Sequence, residues 1–316
     1  MSAGLHPRIA AALAAAAGVA PYHTRPVAEA RAMARVGYLK SGPPVAVGAV
    51  RELAVPAPHG SIPVRLYLPA GAGPAPLVVF LHGSGFVMLD LDTHDDLCRR
   101  LCAGAGCAVA SVDYRLAPEH KFPAAPQDCL AATRWLVAHA GELGVDAQRF
   151  VLAGDSAGGC LAVVTCLRLR DEGGPQPAGQ LLFYPVLDLP PDPPVGSWRD
   201  FGQGFGLTHA GSKWFWQHYL EHPQQRDDPD AAPARATSLA GLPPACVEVA
   251  EFDVLRDEGE AYARRLAEGG VGVSAHRAAG MNHGFLKYAG ELAEADATVA
   301  RACGWLRGIV TLPSLP

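Results

Sequence analysis

A serine flanked by glycines two positions to either side stands in the run Val151-Leu152-Ala153-Gly154-Asp155-Ser156-Ala157-Gly158-Gly159. Apolar or small residues lead into it, and Cys160, Leu161, Val163, Val164 and Leu167 follow at helix-like spacing. That pattern reads as strand, sharp turn, helix, the arrangement of a nucleophile elbow. The glycines have a mechanical purpose, because the turn is strained and a Cβ at 154 or 158 would strike the strand or the helix. The hydroxyl of Ser156 is thereby held out above the sheet. The helix beginning beside it aims free N–H groups and its positive end at a developing oxyanion. In a chain with 35 glycines the same short pattern also arises as an ordinary turn. The apolar strand before it and the helix after it favour the chemical reading.

A serine hydroxyl is a poor nucleophile at neutral pH. It needs a base to take its proton and a carboxylate to hold that base in the right tautomer. On an elbow of this kind the partners follow in the order serine, acid, histidine. Five histidines follow Ser156. His209, His218 and His222 fall in a segment without strand pattern, and His276 sits inside a strand pattern. His283 lies in the loop Gly280-Met281-Asn282-His283-Gly284-Phe285, at the trailing end of a strand, where catalytic groups collect on a parallel sheet. Asp253 is the carboxylate just beyond the strand expected at 245–250. Asp257, one helical turn further on, is the alternative acid, in competition with helix capping or an ion pair near Arg256. Glu251 reads as a polar group at the edge of the core.

The elements that must hold these residues alternate. Residues 77–81 are a wholly apolar run of strand length that ends in His82-Gly83-Ser84-Gly85-Phe86. Such a loop, after a core strand, turns bare N–H groups toward a ligand; standing alone it would be a plain glycine turn. Further strands are expected at 108–112, 150–153, 180–184, 245–250 and 271–278, with helices at 92–105, 127–139, 259–268 and 291–309. Alternation of this kind is the mark of a mostly parallel sheet with helices on both faces, an α/β fold. Residues 50–55 and 63–68 read as an antiparallel hairpin at a sheet edge.

Two segments break the rhythm. Residues 1–45 are Ala-rich and helical, interrupted by Pro21, Pro26 and Gly42-Pro43-Pro44. Residues 188–243 open with Pro190, Pro191, Pro193 and Pro194 and hold three of the five tryptophans, Trp198, Trp214 and Trp216, with Phe201, Phe205, Phe215 and Tyr219. They form either a helical subdomain packed by its own aromatics or a lid lining an apolar pocket over Ser156. Phe86, Trp214 and Phe215 are the candidate substrate-binding residues. The catalytic domain is then 46–187 with 244–316, and the cap is 1–45 with 188–243. The Gly-x-Gly-x-Gly at 202–206 follows no strand, which excludes a nucleotide loop.

Bulk properties narrow the class. The chain has 316 residues, 49% hydrophobic, enough for a large α/β core. Its formal net charge is −5 and no basic block stands out, so nucleic acid is not an expected partner. No stretch reads as a membrane span. Residues 9–20 could pass for the apolar part of a signal peptide, but an N-terminal amphipathic helix fits better. The eight cysteines form no C-x-x-C, and the spacing of Cys98, Cys102 and Cys107 with His94 does not match a zinc site. They read as buried free thiols, which suits a cytoplasmic location.

From about residue 25 onward the chain resembles the hormone-sensitive-lipase-like (bacterial family IV) carboxylesterases of the α/β-hydrolase superfamily. The resemblance rests on LHGSGF at 81–86, DYRLAPEHKFPAAPQD at 113–128, GDSAGG at 154–159, DVLRDEG at 253–259 and NHGF at 282–285. It implies an α/β-hydrolase fold with a helical cap. It also implies a Ser156–His283–Asp253 triad and an oxyanion hole from the N–H groups of Gly83, Ser84, Gly85 and Ala157. The family loop is usually H-G-G-G; here Ser84 replaces the middle glycine, placing a Cβ and hydroxyl beside the acyl site. The family's D-P-L-R-D reads D-V-L-R-D, a change that touches only the turn. The implied activity is hydrolysis of short- to medium-chain carboxylic esters, with neither cofactor nor metal. An amidase or deacetylase on the same triad is the alternative. A non-catalytic receptor, as in the plant gibberellin receptors that lack the histidine, is disfavoured by His283. Family members often form a homodimer along an edge strand. Arg115, Glu119 and Asp128 are expected either as a buried polar scaffold or as surface ion pairs.

Overall fold

Along the first core strand, β3 (Ala75–Leu81), Leu77, Val79 and Leu81 point to one face of a sheet and Val78 and Phe80 to the other, all without solvent contact. A strand buried on both faces needs helices on both, and the computed structural model provides them. It describes residues 4–311 apart from Ala72 and Ser84. Ser84, and with it the expected change in the oxyanion loop, lies outside the described residues.

Among these, eight strands form one sheet: β1 (Ala49–Ala57), β2 (Gly60–Leu68), β3, β4 (Ala108–Val112), β5 (Val145–Asp155), β6 (Gly179–Phe183), β7 (Ala245–Phe252) and β8 (Val273–Asn282). Their order is β1-β2-β4-β3-β5-β6-β7-β8. The hairpin β1–β2 is antiparallel, with Val55 opposite Ile62, and β2 meets β4 antiparallel; every other pair is parallel. The helices are α1 (Pro7–Ala15), α2 (Val27–Tyr38), α3 (Asp95–Ala105), α4 (Ala124–Ala138), α5 (Ala140–Leu143), α6 (Ala157–Asp171), α7 (Gly196–Phe201), α8 (His209–Tyr219), α9 (Arg256–Glu268) and α10 (Ala293–Thr311). One face of the sheet is covered by α4, α6 and α9, the other by α3 and α10, and each face carries its own apolar cluster. None of the described helices is long and apolar enough to cross a membrane.

The expected strands and helices appear with shifted ends, and β8 shows why. Its strand continues past residue 278 to Asn282, because the ladder with β7 slips: Ala250 faces Ala278, yet Phe252 faces Asn282. Gly280 makes the slip with a positive φ of 72° and donates its N–H to Glu251 Oε2 at 2.7 Å. Glu251 is therefore a polar clasp at the core edge. Residues 280–282, expected as loop, are strand, and His283 is the first residue beyond it.

Segments 1–45 and 188–243 carry no strand among their described residues; both contribute to the wall of a cavity beside Ser156, while residues 238–243 run back to the amino ends of β6 and β7. α2 is fastened there by Arg31, which donates to Val87 O at 2.7 Å, to Ala117 O at 2.9 Å and to both oxygens of Glu119. The expected Arg115–Glu119–Asp128 group thus divides. Arg115 forms a two-pronged pair with buried Asp128 at 2.8 Å, whereas Glu119 serves the arm formed by α2. All eight cysteines are buried free thiols.

Candidate active site

Ser156 sits between β5 and α6 with φ 52° and ψ −118°, a conformation that L-residues rarely adopt. The two glycines make the turn feasible. A Cβ on Gly158 would lie 1.8 Å from Leu81 O, and one on Gly154 would lie 2.3 Å from Gly158 O. The turn is also stitched to the loop after β6, since the Ser156 N–H donates to Phe183 O at 2.9 Å and the Val186 N–H to Ser156 O at 3.0 Å.

His283 Nε2 stands 2.9 Å from Ser156 Oγ, and its Nδ1 stands 2.8 Å from Asp253 Oδ2. The Asp253 side chain is fully buried, and its Oδ1 accepts the Leu255 N–H at 3.0 Å. An ionised carboxylate only accepts, so the proton between the two rests on Nδ1. Nε2 is then the free acceptor, aimed at the serine hydroxyl. Three side chains far apart in sequence are thus joined in one hydrogen-bonded row. Asp257, the alternative acid, takes the Ser197 N–H at 2.8 Å and pairs with Arg256, the capping and ion-pair role weighed against it.

On the oxyanion side the expectation needs one correction. The Gly83 N–H donates to Asp155 Oδ1 at 2.6 Å, so it is not free for a substrate oxygen. The Ala157 N–H opens α6 and has no acceptor within the helix. The Gly85 N–H has no acceptor among the described residues. Gly85 has φ 58°, and a Cβ there would lie 2.3 Å from the Phe215 ring.

Beneath this loop lies a buried polar cluster not anticipated from sequence. His94 Nε2 is 3.2 Å from Asp155 Oδ1, which explains His94 better than a metal site with the cysteines of α3. Among the described residues no group of three or more His, Cys, Asp or Glu side chains could hold a metal ion. Burial alone would push the Asp155 carboxyl up; His94 and the Gly83 N–H more than offset this and hold it below the usual carboxylate range. His82 is stacked on Tyr114 at 4.5 Å between centroids, and burial, aided by the neighbouring His94, lowers its pKa to about 3.

A cavity of about 340 Å³ opens over Ser156 and His283. Phe86 and Phe215 line it as expected. Trp214 does not, which corrects that assignment. On α8 the inward face is Ser212, Phe215, Trp216 and Tyr219, all buried, and Trp214 falls on the flank, packed edge-on to Tyr22, Phe215 and His218. Trp216, Trp198, Tyr22 and Tyr38 line the cavity instead. The Gly-x-Gly-x-Gly stretch contributes Gly206 to the wall, held by the Asn282 side-chain N–H donated to Phe205 O at 2.8 Å.

Comparison with known proteins agrees with this geometry. Residues 78–287 match the family described as alpha/beta hydrolase fold. The carboxylic ester hydrolase LipN of Mycobacterium tuberculosis is 46% identical over 251 residues, 78% of this chain and 66% of that protein. An ethyl acetate hydrolase of Pseudomonas putida is 40% identical over 240 residues, 75% of each chain. Among solved structures, a thermostable esterase from Pseudomonas putida superposes with a TM-score of 0.93 at 36% identity, covering 99% of this chain and 100% of that one. The hyperthermophilic esterase of Pyrobaculum calidifontis gives 0.90 at 36% identity, covering 98% and 100%. With an elbow serine, an imidazole at the end of β8 and relatives of this kind, the chain belongs to the α/β-hydrolase family, in its hormone-sensitive-lipase-like branch of carboxylesterases.

Proposed function

We propose that this carboxylic ester hydrolase works through Ser156 as nucleophile, His283 as general base and acid, and Asp253 as the group that orients the imidazole. One observation carries the reading: the continuous row Asp253–His283–Ser156, with spacings of 2.8 and 2.9 Å, at the wall of a largely apolar cavity. Ser156 Oγ attacks the ester carbonyl while its proton passes to Nε2. The negative charge gathering on the carbonyl oxygen is met by the N–H groups of Ala157 and Gly85, with that of Ser84 as the third proposed donor. His283 then returns the proton to the departing alcohol, leaving the acyl group on Ser156. Water, deprotonated by the same nitrogen, attacks the acyl-enzyme and frees the acid. A cavity of about 340 Å³ supports short- to medium-chain acyl groups. The cap formed by 1–45 and 188–243 supplies most of its apolar wall.

Purified protein is expected to hydrolyse p-nitrophenyl butyrate, and Ser156→Ala to lose about a millionfold in kcat. Wild-type protein without turnover, or a variant that retains it, overturns the assignment. Matched ester and anilide substrates separate the esterase from the amidase or deacetylase; faster turnover of the anilide favours the latter. Eight buried free thiols support a cytoplasmic location. A homodimer would use the outer edge of β8, which has no strand partner among the described residues, and sedimentation velocity reads it.

A further inference from the structure

The cavity wall carries little charge, and all but one of its fixed charges are answered. Asp155 takes the Gly83 N–H and faces His94. Asp188 accepts the Leu189 N–H at 2.8 Å and pairs with Arg235 at 3.1 Å. Lys287 differs. It lines the same cavity as Ser156 and His283, yet its ammonium has no hydrogen-bond or ion-pair acceptor among the described residues. It is held in place by rings, with Nζ 5.3 Å from the centroid of Tyr38 and 5.2 Å from that of Tyr288. Such contacts orient a cation without neutralising it.

The surroundings add positive charge. Arg8 lies 5.8 Å from the Tyr288 centroid; burial, and after it Arg8, disfavours the Lys287 ammonium. Glu291, the carboxylate that pairs with Arg8, is 2.9 Å from Lys40 Nζ and reaches Arg8 only at 3.9 Å. Arg8 and Lys40 thus share that carboxylate, and Lys287 has no pair with it. A partly buried, unanswered ammonium is costly unless something anionic visits it. Lys287 sits on the turn Phe285–Tyr288, four residues after His283, and lines the same cavity, so the visitor would share that cavity with the reacting ester.

We propose that Lys287 is the anchor for a carboxylate carried by the substrate, so that preferred esters bear a free acid group beside the scissile bond. This rests on the esterase reading. The test compares acids with their neutral amides in wild type, Lys287→Met and Lys287→Arg by titrating released acid. One pair, 2-acetoxypropanoate and 2-acetoxypropanamide, places the charge on the alcohol half. The other, monoethyl succinate and ethyl succinamate, places it on the acyl half. In at least one pair the wild-type acid-to-amide ratio of kcat/KM is expected to exceed one, to fall about tenfold in Lys287→Met and to survive in Lys287→Arg. The same wild-type ratio should fall as sodium chloride is added, a readout that needs no variant. Ratios in both pairs that ignore the substitution and the salt overturn the inference while leaving the esterase intact. Failure to hydrolyse any of these compounds or p-nitrophenyl butyrate overturns the esterase reading instead.

Discussion

The two walls of the cavity are built by different means. On the serine side, position is set by backbone: positive φ at Ser156 and Gly85, glycines at 154 and 158 where no Cβ fits, and N–H groups committed to Asp155 or left free. Every atom there is tied to β3, β5 or β6. On the opposite side, position is set by side-chain packing of helices: Tyr22, Tyr38, Trp198, Phe215 and Trp216 come from α7, α8 and the N-terminal arm, with Tyr22 packed on Phe215 and Trp216 on Phe86 and Tyr219. The first wall can tolerate almost no substitution and will be shared wherever the chemistry is shared. The second can exchange one ring for another and change only which substrate fits. Reaction and selectivity thus reside in separately adjustable parts of one cavity.

The sharpest way to break this division is at the acid. Asp253→Asn keeps the shape of the serine-side wall but lets the amide hold the wrong histidine tautomer. An approximately ten-thousandfold fall in kcat at unchanged KM is expected from steady-state kinetics. A fall shared by KM would mean that Asp253 also shapes the substrate site. Gly85→Ala probes the one point where the walls touch, because the added Cβ meets both a positive φ and the Phe215 ring. Turnover should drop about a hundred- to thousandfold, the usual cost of a lost oxyanion donor. Turnover within a few-fold of wild type would remove Gly85 from the oxyanion hole.

The same division explains what could be read from sequence. Gly154, Ser156 and Gly158 are legible because the turn leaves few other residue choices, and His283 because strand order places it at the working edge. Asp253 follows from its place after β7. Backbone direction was not legible. Nothing in His82-Gly83-Ser84-Gly85 says that the Gly83 N–H turns away to Asp155, a carboxylate inside the motif itself. Nor did composition say which ring of Trp214, Phe215 and Trp216 faces inward. The α8 periodicity of Ser212, Phe215, Trp216 and Tyr219 held that answer, masked by aromatics on both faces. Lys287 and Tyr38 meet only through the packing of α2 on the turn after β8, a contact between segments nearly the whole chain apart.

His82 and Asp155, two buried groups whose pKa the fold lowers, lie on the serine side, so acid should loosen that wall. The folded protein lowers the pKa of His82 from an ordinary 6.5 to about 3. Between those values the unfolded chain binds the proton that the native chain refuses, and stability falls as pH drops. Asp155, held below its usual range, acts in the same direction once pH falls through the ordinary carboxylate value of 3.8 toward its lower native pKa. Unfolding midpoints should therefore decline from about pH 6.5 downward and stay level with respect to His82 above it. His82→Asn should flatten the slope between about 6.5 and 3; an unaltered slope would place the acid sensitivity elsewhere.

The smallest effects belong to the helical wall, and they test whether selectivity is separable from chemistry. Phe215→Ala removes a ring that lines the cavity and touches the Gly85 loop. It should cut kcat/KM for p-nitrophenyl butyrate about tenfold while sparing longer acyl chains that fill the space. Trp214→Ala removes a larger ring one residue away, on the flank of α8, and should change the chain-length profile by about twofold or less. The ordering is the point, because ring size alone predicts the reverse. A chain-length profile that moves more for Trp214→Ala than for Phe215→Ala would mean that α8 turns its other face to the substrate.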